Sequence, residues 1–103
     1  MQIVEDDSYE SAASEYQYQL ISLLDSVLKK YKVPPETRRE KCGEYAFDSG
    51  MLHDQGEIRS DRVEYEPIVA FKDGERLLVK NEFFEFHEYA FGNTSEYFET
   101  DGS

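Results

Sequence analysis

The fold class depends on residues 57–80, whose sequence is EIRSDRVEYEPIVAFKDGERLLVK. Before this segment apolar residues recur every three or four positions, as in a helix, whereas here β-branched and aromatic residues are enriched. Asp73–Gly74 stands between the apolar runs IVAF and RLLV, and such a pair is a strong signal for a two-residue β-hairpin loop. The pattern therefore predicts strands near residues 57–65, 67–72 and 75–80.

Two helices are predicted before these strands. In residues 8–32 the apolar side chains follow the spacing of one helical face, and Pro34–Pro35 ends that helix. The predicted core positions on this face are Tyr9, Ala12, Ala13, Tyr16, Leu20, Leu23, Leu24, Val27, Leu28 and Tyr31. Pro35 at a first helical position opens a second helix near residues 35–49, which either ends at residues 48–50 or runs on through Met51 and Leu52 to Gly56. The side chains predicted to face the first helix are Cys42, Tyr45, Ala46 and the stem of Arg39.

The last segment, residues 81–103, fits either a helix or a strand. It holds seven aromatic and six carboxylate side chains and no Lys or Arg. A helix over residues 82–91 separates the phenylalanines from Glu82, Glu85 and Glu88, whereas a strand mixes them on both faces. The helix is therefore preferred, with Gly92–Asn93 as its end. Three Phe in four residues also suit a strand, so this alternative stays open.

Together these segments predict an α+β fold, with two N-terminal helices packed on a small antiparallel sheet of three strands and a C-terminal helix. The chain has 103 residues, of which 39% are hydrophobic, and this size is typical of one domain. The sequence therefore predicts a single domain over residues 1–103. Its ends, residues 1–7 and 99–103, are expected to be frayed.

The charge of the chain is its most unusual property, since 23 Asp and Glu stand against 11 Lys and Arg, a net charge of −12. Residues 1–19, 44–68 and 81–103 carry net charges of −5, −5 and −6, while residues 20–43 and 69–80 carry +3 and +1. Blocks of one sign suggest a field with a direction. Such a charge opposes direct binding to nucleic acid or an anionic membrane and favours a basic protein partner.

The sequence also predicts a cytoplasmic location. The start, MQIVEDDSYE, lacks the basic region and apolar run of a signal peptide. No apolar stretch approaches the roughly 18 residues of a membrane span. The single cysteine, Cys42, cannot form an internal disulfide, which favours a reducing compartment.

No motif in the sequence specifies a reaction. His53 with Asp54 and Glu57, or His87 with Glu88, could be imagined around a metal, but neither group has the spacing of a known site such as H-E-x-x-H. The glycines never cluster into a phosphate-binding loop. The sequence therefore predicts a protein that is not an enzyme and holds no metal and no cofactor.

The acidic residues suggest a function instead. On the preferred last helix Glu82, Glu85 and Glu88 advance about 4.5 Å per step along the axis, comparable with the roughly 3.4 Å per nucleotide of DNA phosphates. We therefore predict a small acidic inhibitor that occludes a basic nucleic-acid-handling surface of a nuclease, toxin or CRISPR-type effector. In composition and size alone the chain resembles immunity proteins, phage anti-defence proteins and DNA mimics. The predicted partner-binding residues are Glu82, Glu85, Glu88, Tyr89, Glu96, Glu99, Tyr18, Asp48, Asp54 and Glu57.

Two other classes stay open at this point. One is a generic regulatory or structural interaction module, for which a homodimer is an option and the acidity serves only solubility. The other is a small metal-dependent enzyme, which would have to carry stoichiometric metal and lose it when His53 or His87 is replaced. Charge reversal of Glu82, Glu85 and Glu88 would remove partner binding by the inhibitor and leave the generic module unaffected.

Overall fold

The computed structural model describes residues 1–55, 58–59, 64–65 and 67–101. The α+β class is confirmed, because three helices and a three-stranded sheet are present within these residues. The elements in chain order are β1 (Gln2–Val4), α1 (Asp7–Lys30), α2 (Pro35–Gln55), β2 (Ile58–Arg59), β3 (Glu64–Tyr65), β4 (Phe71–Asp73), β5 (Arg76–Leu78), a 3₁₀ helix (Phe86–Tyr89) and α3 (Ala90–Thr100).

The ends of α1 follow from local hydrogen bonds. The carboxylate of Asp6 accepts a 2.9 Å hydrogen bond from the backbone N–H of Ser8 and so caps the first turn. After the last turn Lys32 has a φ of 59°, and the N–H groups of Lys32 and of the next residue donate to the carbonyls of Lys29 and Leu28. This is a Schellman motif, with lysine at the left-handed position that glycine usually takes.

The buried face of α1 differs from the predicted one towards its C-terminal end. The buried residues of α1 recur every four positions. Four residues turn a helix about 40° beyond a full circle, so the buried face winds around α1. Leu23, Val27 and Tyr31 consequently lie outside the core, with exposed fractions of 65%, 47% and 78%, and their predicted core positions are wrong. The buried residues of α1 are Tyr9, Ala13, Gln17, Ile21 and Asp25.

On α2 the prediction is right for Cys42 and Ala46, which are buried, and wrong for Tyr45, which is exposed. The arginine that faces inward is Arg38, whereas Arg39 is exposed. The second helix therefore packs on the face that the sequence indicated, displaced by about one residue at its start.

The three-stranded sheet is mixed, with the order β1-β5-β4, so the prediction of a purely antiparallel sheet is corrected. β4 and β5 form the predicted antiparallel hairpin, but Asp73 pairs with Arg76, so the two-residue loop is Gly74–Glu75 and not Asp73–Gly74. Gly74 has a φ of 59°, as the first position of a type II′ turn requires. β1 pairs in parallel with β5, with Gln2 opposite Arg76. Residues 2–4, expected to be frayed, thus form an edge strand.

Part of the strand predicted for residues 57–65 is present as two shorter strands. β2 and β3 pair with each other antiparallel, with Ile58 opposite Tyr65. The prediction for residues 57 and 60–63 lies outside the described residues.

The helix predicted over residues 82–91 is wrong. Glu85 has an extended backbone, with φ −138° and ψ 125°, so Phe84 and Phe86 on either side of it both turn inward, as in a strand. α3 starts later, at Ala90, and continues through Gly92–Asn93, the predicted stop. A C-terminal helix therefore exists, but its apolar residues come from the sequence after the phenylalanine-rich stretch.

The interior consists of two clusters that share α1. One packs the three helices together through Ile21, Cys42, Ala46, Ala90, Tyr97 and Phe98. The other packs α1 on the sheet through Tyr9, Ala13, Leu78, Phe84 and Phe86. Between them Gln17 donates a 3.0 Å hydrogen bond to the carbonyl of Phe86 and accepts one of 2.8 Å from Asn93. This buried amide pair joins α1, α3 and the first residue of the 3₁₀ helix.

Candidate functional site

Glu82, Glu85 and Glu88 do not form the predicted row, because they lie in a turn, at an extended residue and in the 3₁₀ helix. Glu82 and Glu88 are exposed, whereas an Oε2 of Glu85 lies 3.3 Å from Nδ1 of His87. The regular spacing on which the comparison with DNA depended is therefore absent from this segment.

Tyr18 and Tyr89, two of the predicted partner-binding residues, are half-buried and make hydrogen bonds within the chain. The hydroxyl of Tyr89 donates to Glu10 at 2.7 Å, and that of Tyr18 donates to Asp101. The bond to Asp101 raises the pKa of Tyr18 to about 12, and the bond to Glu10 raises the pKa of Tyr89. Both hydroxyls are thus already used as donors to the chain's own acids.

The remaining predicted partner-binding residues are spread over the molecule. Asp48 is exposed on α2, and Glu96 is exposed on α3. Glu99 lies 3.8 Å from the guanidinium of Arg39, which joins the end of α3 to α2. Glu57 lies outside the described residues.

A row of acids on α2 was not identified from the sequence. We call it the acidic row, and it consists of Glu36, Glu40, Glu44 and Asp48. Four-residue spacing places neighbours on one side of the helix, about 6 Å apart along its axis. All four side chains are exposed, and within the described part of the chain none of them makes an ion pair. The four-residue spacing is visible in the sequence. The charge blocks 20–43 and 44–68 separated Glu36 and Glu40 from Glu44 and Asp48, so the row was missed.

A groove of about 350 Å³ lies beside the acidic row, where α2 meets α3. Its aromatic wall is Phe91, which is 58% exposed and stacks on Phe47 with ring centres 5.6 Å apart. Gly43 permits this packing, because a Cβ there would lie 3.3 Å from the Phe91 ring. The lining residues are Glu36, Arg39, Glu40, Gly43, Glu44, Phe91, Thr94 and Ser95. Three carboxylates against one guanidinium make the groove electronegative.

A second, smaller pocket of about 170 Å³ lies at the start of α1. It combines the carboxylates of Asp6, Asp7 and Glu10 with aromatic rings that include Phe83, which is 80% exposed. Asp6 and Glu10 already accept hydrogen bonds from within the chain. Among the described residues, the groove beside the acidic row therefore offers more carboxylates that accept no hydrogen bond within the chain.

A buried ionic network ties the three helices together. Asp25 of α1 is fully buried and accepts hydrogen bonds from Nε of Arg38 at 2.6 Å and from the hydroxyl of Tyr97 at 2.8 Å, while Nζ of Lys29 lies 3.3 Å away. Burial raises the pKa of Asp25, but these donors outweigh burial and hold the pKa below its ordinary value. Because its partners come from all three helices, the network fixes their packing.

Asp54 connects the end of α2 to the 3₁₀ helix. Its side chain is 1% exposed, and its two oxygens accept hydrogen bonds from the backbone N–H groups of Phe86 and His87 at 2.7 and 2.9 Å. Oδ2 also lies 2.7 Å from Nδ1 of His87. The side chain of Asp54 is therefore buried and already bonded within the chain, and its role in partner binding stays a prediction.

Comparison with models of protein families, with curated proteins and with solved structures finds no match for this chain. Its function is therefore argued from its own residues. Within the part of the chain that the structure describes, no helix combines the length and the apolar character needed to cross a bilayer.

Proposed function

We propose that this protein is a non-enzymatic inhibitor that binds a basic, nucleic-acid-handling surface of another protein and occludes it. The observation that carries the proposal is the acidic row, which is fixed on a 21-residue helix and borders the groove at Phe91. The predicted function is thereby kept, but its contact surface moves from residues 82–88 to α2.

The spacing and charge of the acidic row support this function. Carboxylates about 6 Å apart along a helix have nearly the repeat of every second phosphate along a DNA strand, about 6.8 Å. Lysines and arginines arranged to bind a phosphate backbone would meet carboxylates at a similar interval. In a chain with a net charge of −12, the long-range field would also accelerate encounter with such a surface.

The groove supports the short-range part of the interaction. Lys and Arg carry a charged head on an apolar stem, so one side chain can contact a carboxylate and an aromatic ring at once. Phe91 is available for the stem, and Glu40 and Glu44 for the head. Burial of an exposed aromatic ring in this way is typical of the residues that dominate binding energy at interfaces.

The state of the single cysteine supports a non-enzymatic role. Burial raises the pKa of the Cys42 thiol to about 11, so little of the reactive thiolate is present at neutral pH. Its Sγ lies 3.8 Å from the carbonyl oxygen of Ile21, in the core between α1 and α2.

The test compares two triple variants that remove the same charge. Glu36→Gln/Glu40→Gln/Glu44→Gln changes the acidic row, and Glu75→Gln/Glu82→Gln/Glu96→Gln changes three exposed glutamates elsewhere. Each immobilised protein is exposed to a nuclease-treated lysate and eluted with salt or, in parallel, with duplex DNA. We expect the wild type and the second variant to retain basic proteins that DNA displaces, and the first variant to lose them. Equal retention by both variants, or retained proteins that DNA does not displace, would overturn the proposal.

The exposed apolar residues of α1 favour a second candidate, an interaction module that associates with another copy of itself. Leu23, Val27 and Tyr31 form an uncovered stripe, and Lys30 beside them locally offsets the negative charge. Self-repulsion of a −12 chain opposes such a dimer, so it should form best at high salt. Sedimentation velocity of the wild type and of Leu23→Glu decides this: a dimer at high salt that the substitution abolishes would favour the second candidate.

A further inference from the structure

Asp54, Glu85 and His87 form a cluster that the proposed function does not use, and we propose that it binds a divalent transition-metal ion, best matched by Zn²⁺. Each of the three side chains offers one ligand atom, and these atoms lie within 4.8 Å of one another. One imidazole nitrogen and two carboxylate oxygens are a donor set that suits Zn²⁺ better than Mg²⁺ or Ca²⁺, which prefer oxygen ligands alone.

The distances between ligand atoms are close to those of a tetrahedral site. With metal–ligand bonds of about 2.0–2.2 Å, neighbouring ligand atoms lie roughly 3.3–3.6 Å apart. Nδ1 of His87 is 3.3 Å from Oε2 of Glu85, which already meets this requirement. The 2.7 Å between Nδ1 and Oδ2 of Asp54 has to widen by about 0.6 Å, which a small rotation of the imidazole ring provides.

The charges of the cluster also favour a cation. Within the described residues the ion pairs of Asp54 and Glu85 involve no lysine and no arginine, and His87 is their shared partner. Asp54 is almost fully buried, so its interaction with a bound ion would be screened little by water. An ion with two positive charges would balance both carboxylates, whose oxygens lie 2.7 Å and 3.3 Å from Nδ1 of His87.

The ligands are held in place by groups around them. The backbone N–H groups of Phe86 and His87 orient the carboxylate of Asp54, and the Phe47 ring packs edge-on against the imidazole at 5.5 Å. Gly50 allows α2 to approach this segment, because a Cβ there would lie 2.7 Å from the backbone nitrogen of His87. Such outer contacts orient metal ligands and raise affinity. Three protein ligands leave a fourth position for water or a donor from a partner.

The experiment titrates the full chain with Zn²⁺ in the presence of excess Mg²⁺ and follows binding by calorimetry. His53→Gln is the matched control for His87→Gln, because His53 packs on Phe86 outside the cluster. We expect one Zn²⁺ per chain for the wild type and His53→Gln, and an affinity at least tenfold lower for His87→Gln and Glu85→Gln. Bound Co²⁺ should give the visible absorption of a four-coordinate site.

Three outcomes would overturn the proposal. These are wild-type protein that binds no Zn²⁺, binding that survives both His87→Gln and Glu85→Gln, and binding that His53→Gln weakens as much as His87→Gln. Glu85→Gln guards against a folding artefact, because Glu85 is partly exposed and its side chain makes no hydrogen bond to the backbone among the described contacts. Loss of binding in that variant, with an unchanged circular dichroism spectrum, supports the site even if His87→Gln does not fold.

Discussion

At three places in the described part of the chain a tyrosine hydroxyl donates a hydrogen bond to a carboxylate: Tyr97 to Asp25, Tyr18 to Asp101 and Tyr89 to Glu10. Two of these acids are exposed, and one lies in the core. A phenol is uncharged, so it can fix the position of a carboxylate without cancelling its charge, as a lysine or arginine would. The aromatic and acidic residues that the sequence sets side by side thus support one another.

The hydroxyl of Tyr97 allows a prediction about stability. Tyr97→Phe keeps the ring in the core and leaves buried Asp25 with one donor fewer, so we expect the free energy of unfolding to fall by about 1–3 kcal/mol. Urea denaturation at pH 7 measures the loss. Tyr18→Phe is the control, because its bond to Asp101 is exposed and its loss should lower the free energy of unfolding much less. Equal losses in the two variants would contradict this role of Asp25.

The same substitution should change the response to acid. The pKa of Asp25 is lower in the folded protein than its ordinary value of 3.8, so its ionised form stabilises the fold above that pH, and this stabilisation is lost as pH falls. Removing the hydroxyl of Tyr97 raises the pKa of Asp25 in the folded protein, because that hydrogen bond helps to lower it. We therefore expect acid unfolding of Tyr97→Phe to begin at a higher pH than in the wild type.

At the scale of elements, the periodicity and turn residues of the sequence predicted the features that depend on interactions between residues near in the chain. The face of α2 around Cys42 and the hairpin at Gly74 follow from periodicity and turn chemistry, and both are present. The strand at Gln2–Val4 was not predictable in this way, because three residues carry no period and the partner strand begins at Arg76.

The two candidate sites differ in the same way, since one follows from local spacing and the other from long-range packing. The acidic row could have been found from four-residue spacing on the predicted second helix. The cluster around His87 could not, because Asp54 lies 33 residues away in the chain and only the packing of α2 against the 3₁₀ helix brings them together. The helix predicted over residues 82–91 failed because inward packing of both Phe84 and Phe86 outweighed the separation of acid from apolar residues.

The acidic row should cost helix stability. Like charges four residues apart destabilise a helix by about 0.2–0.5 kcal/mol per pair, and Glu40→Gln/Glu44→Gln removes the three such pairs in the row. We therefore expect the free energy of unfolding to rise by about 0.6–1.5 kcal/mol while partner binding weakens. Glu36 is left unchanged, because an acid in the first turn of a helix is favourable. Thermal unfolding checks the gain, and a less stable variant would show that the row contributes contacts to the fold.

At the scale of the whole molecule, the charge of −12 acts on the protein itself and would act on the proposed basic partner. Self-repulsion weakens the compact state, while attraction reaches a basic surface before contact. Both interactions act over the Debye length, the distance beyond which salt screens charges. It falls from about 30 Å at 0.01 M salt to about 8 Å at 0.15 M.

Because salt screens both interactions, stability and association rate should respond to salt in opposite directions. Between 0.01 and 0.15 M salt we expect the unfolding temperature to rise, because self-repulsion is screened, and the association rate with a captured basic partner to fall steeply. The dissociation rate should change little, because contacts within the groove persist. Differential scanning calorimetry measures the unfolding temperature, and surface plasmon resonance measures the association and dissociation rates. An association rate that stays constant over this range would argue against electrostatic steering.

The parallel pairing of β1 with β5 has a consequence for biosynthesis. During synthesis the first strand is made long before its partner at Arg76–Leu78 and before the later aromatic residues that complete both clusters. The nascent polypeptide therefore holds α1 with the apolar face that packs on the sheet uncovered until those residues have been made. Chaperones that recognise such faces would have most of that interval in which to engage it.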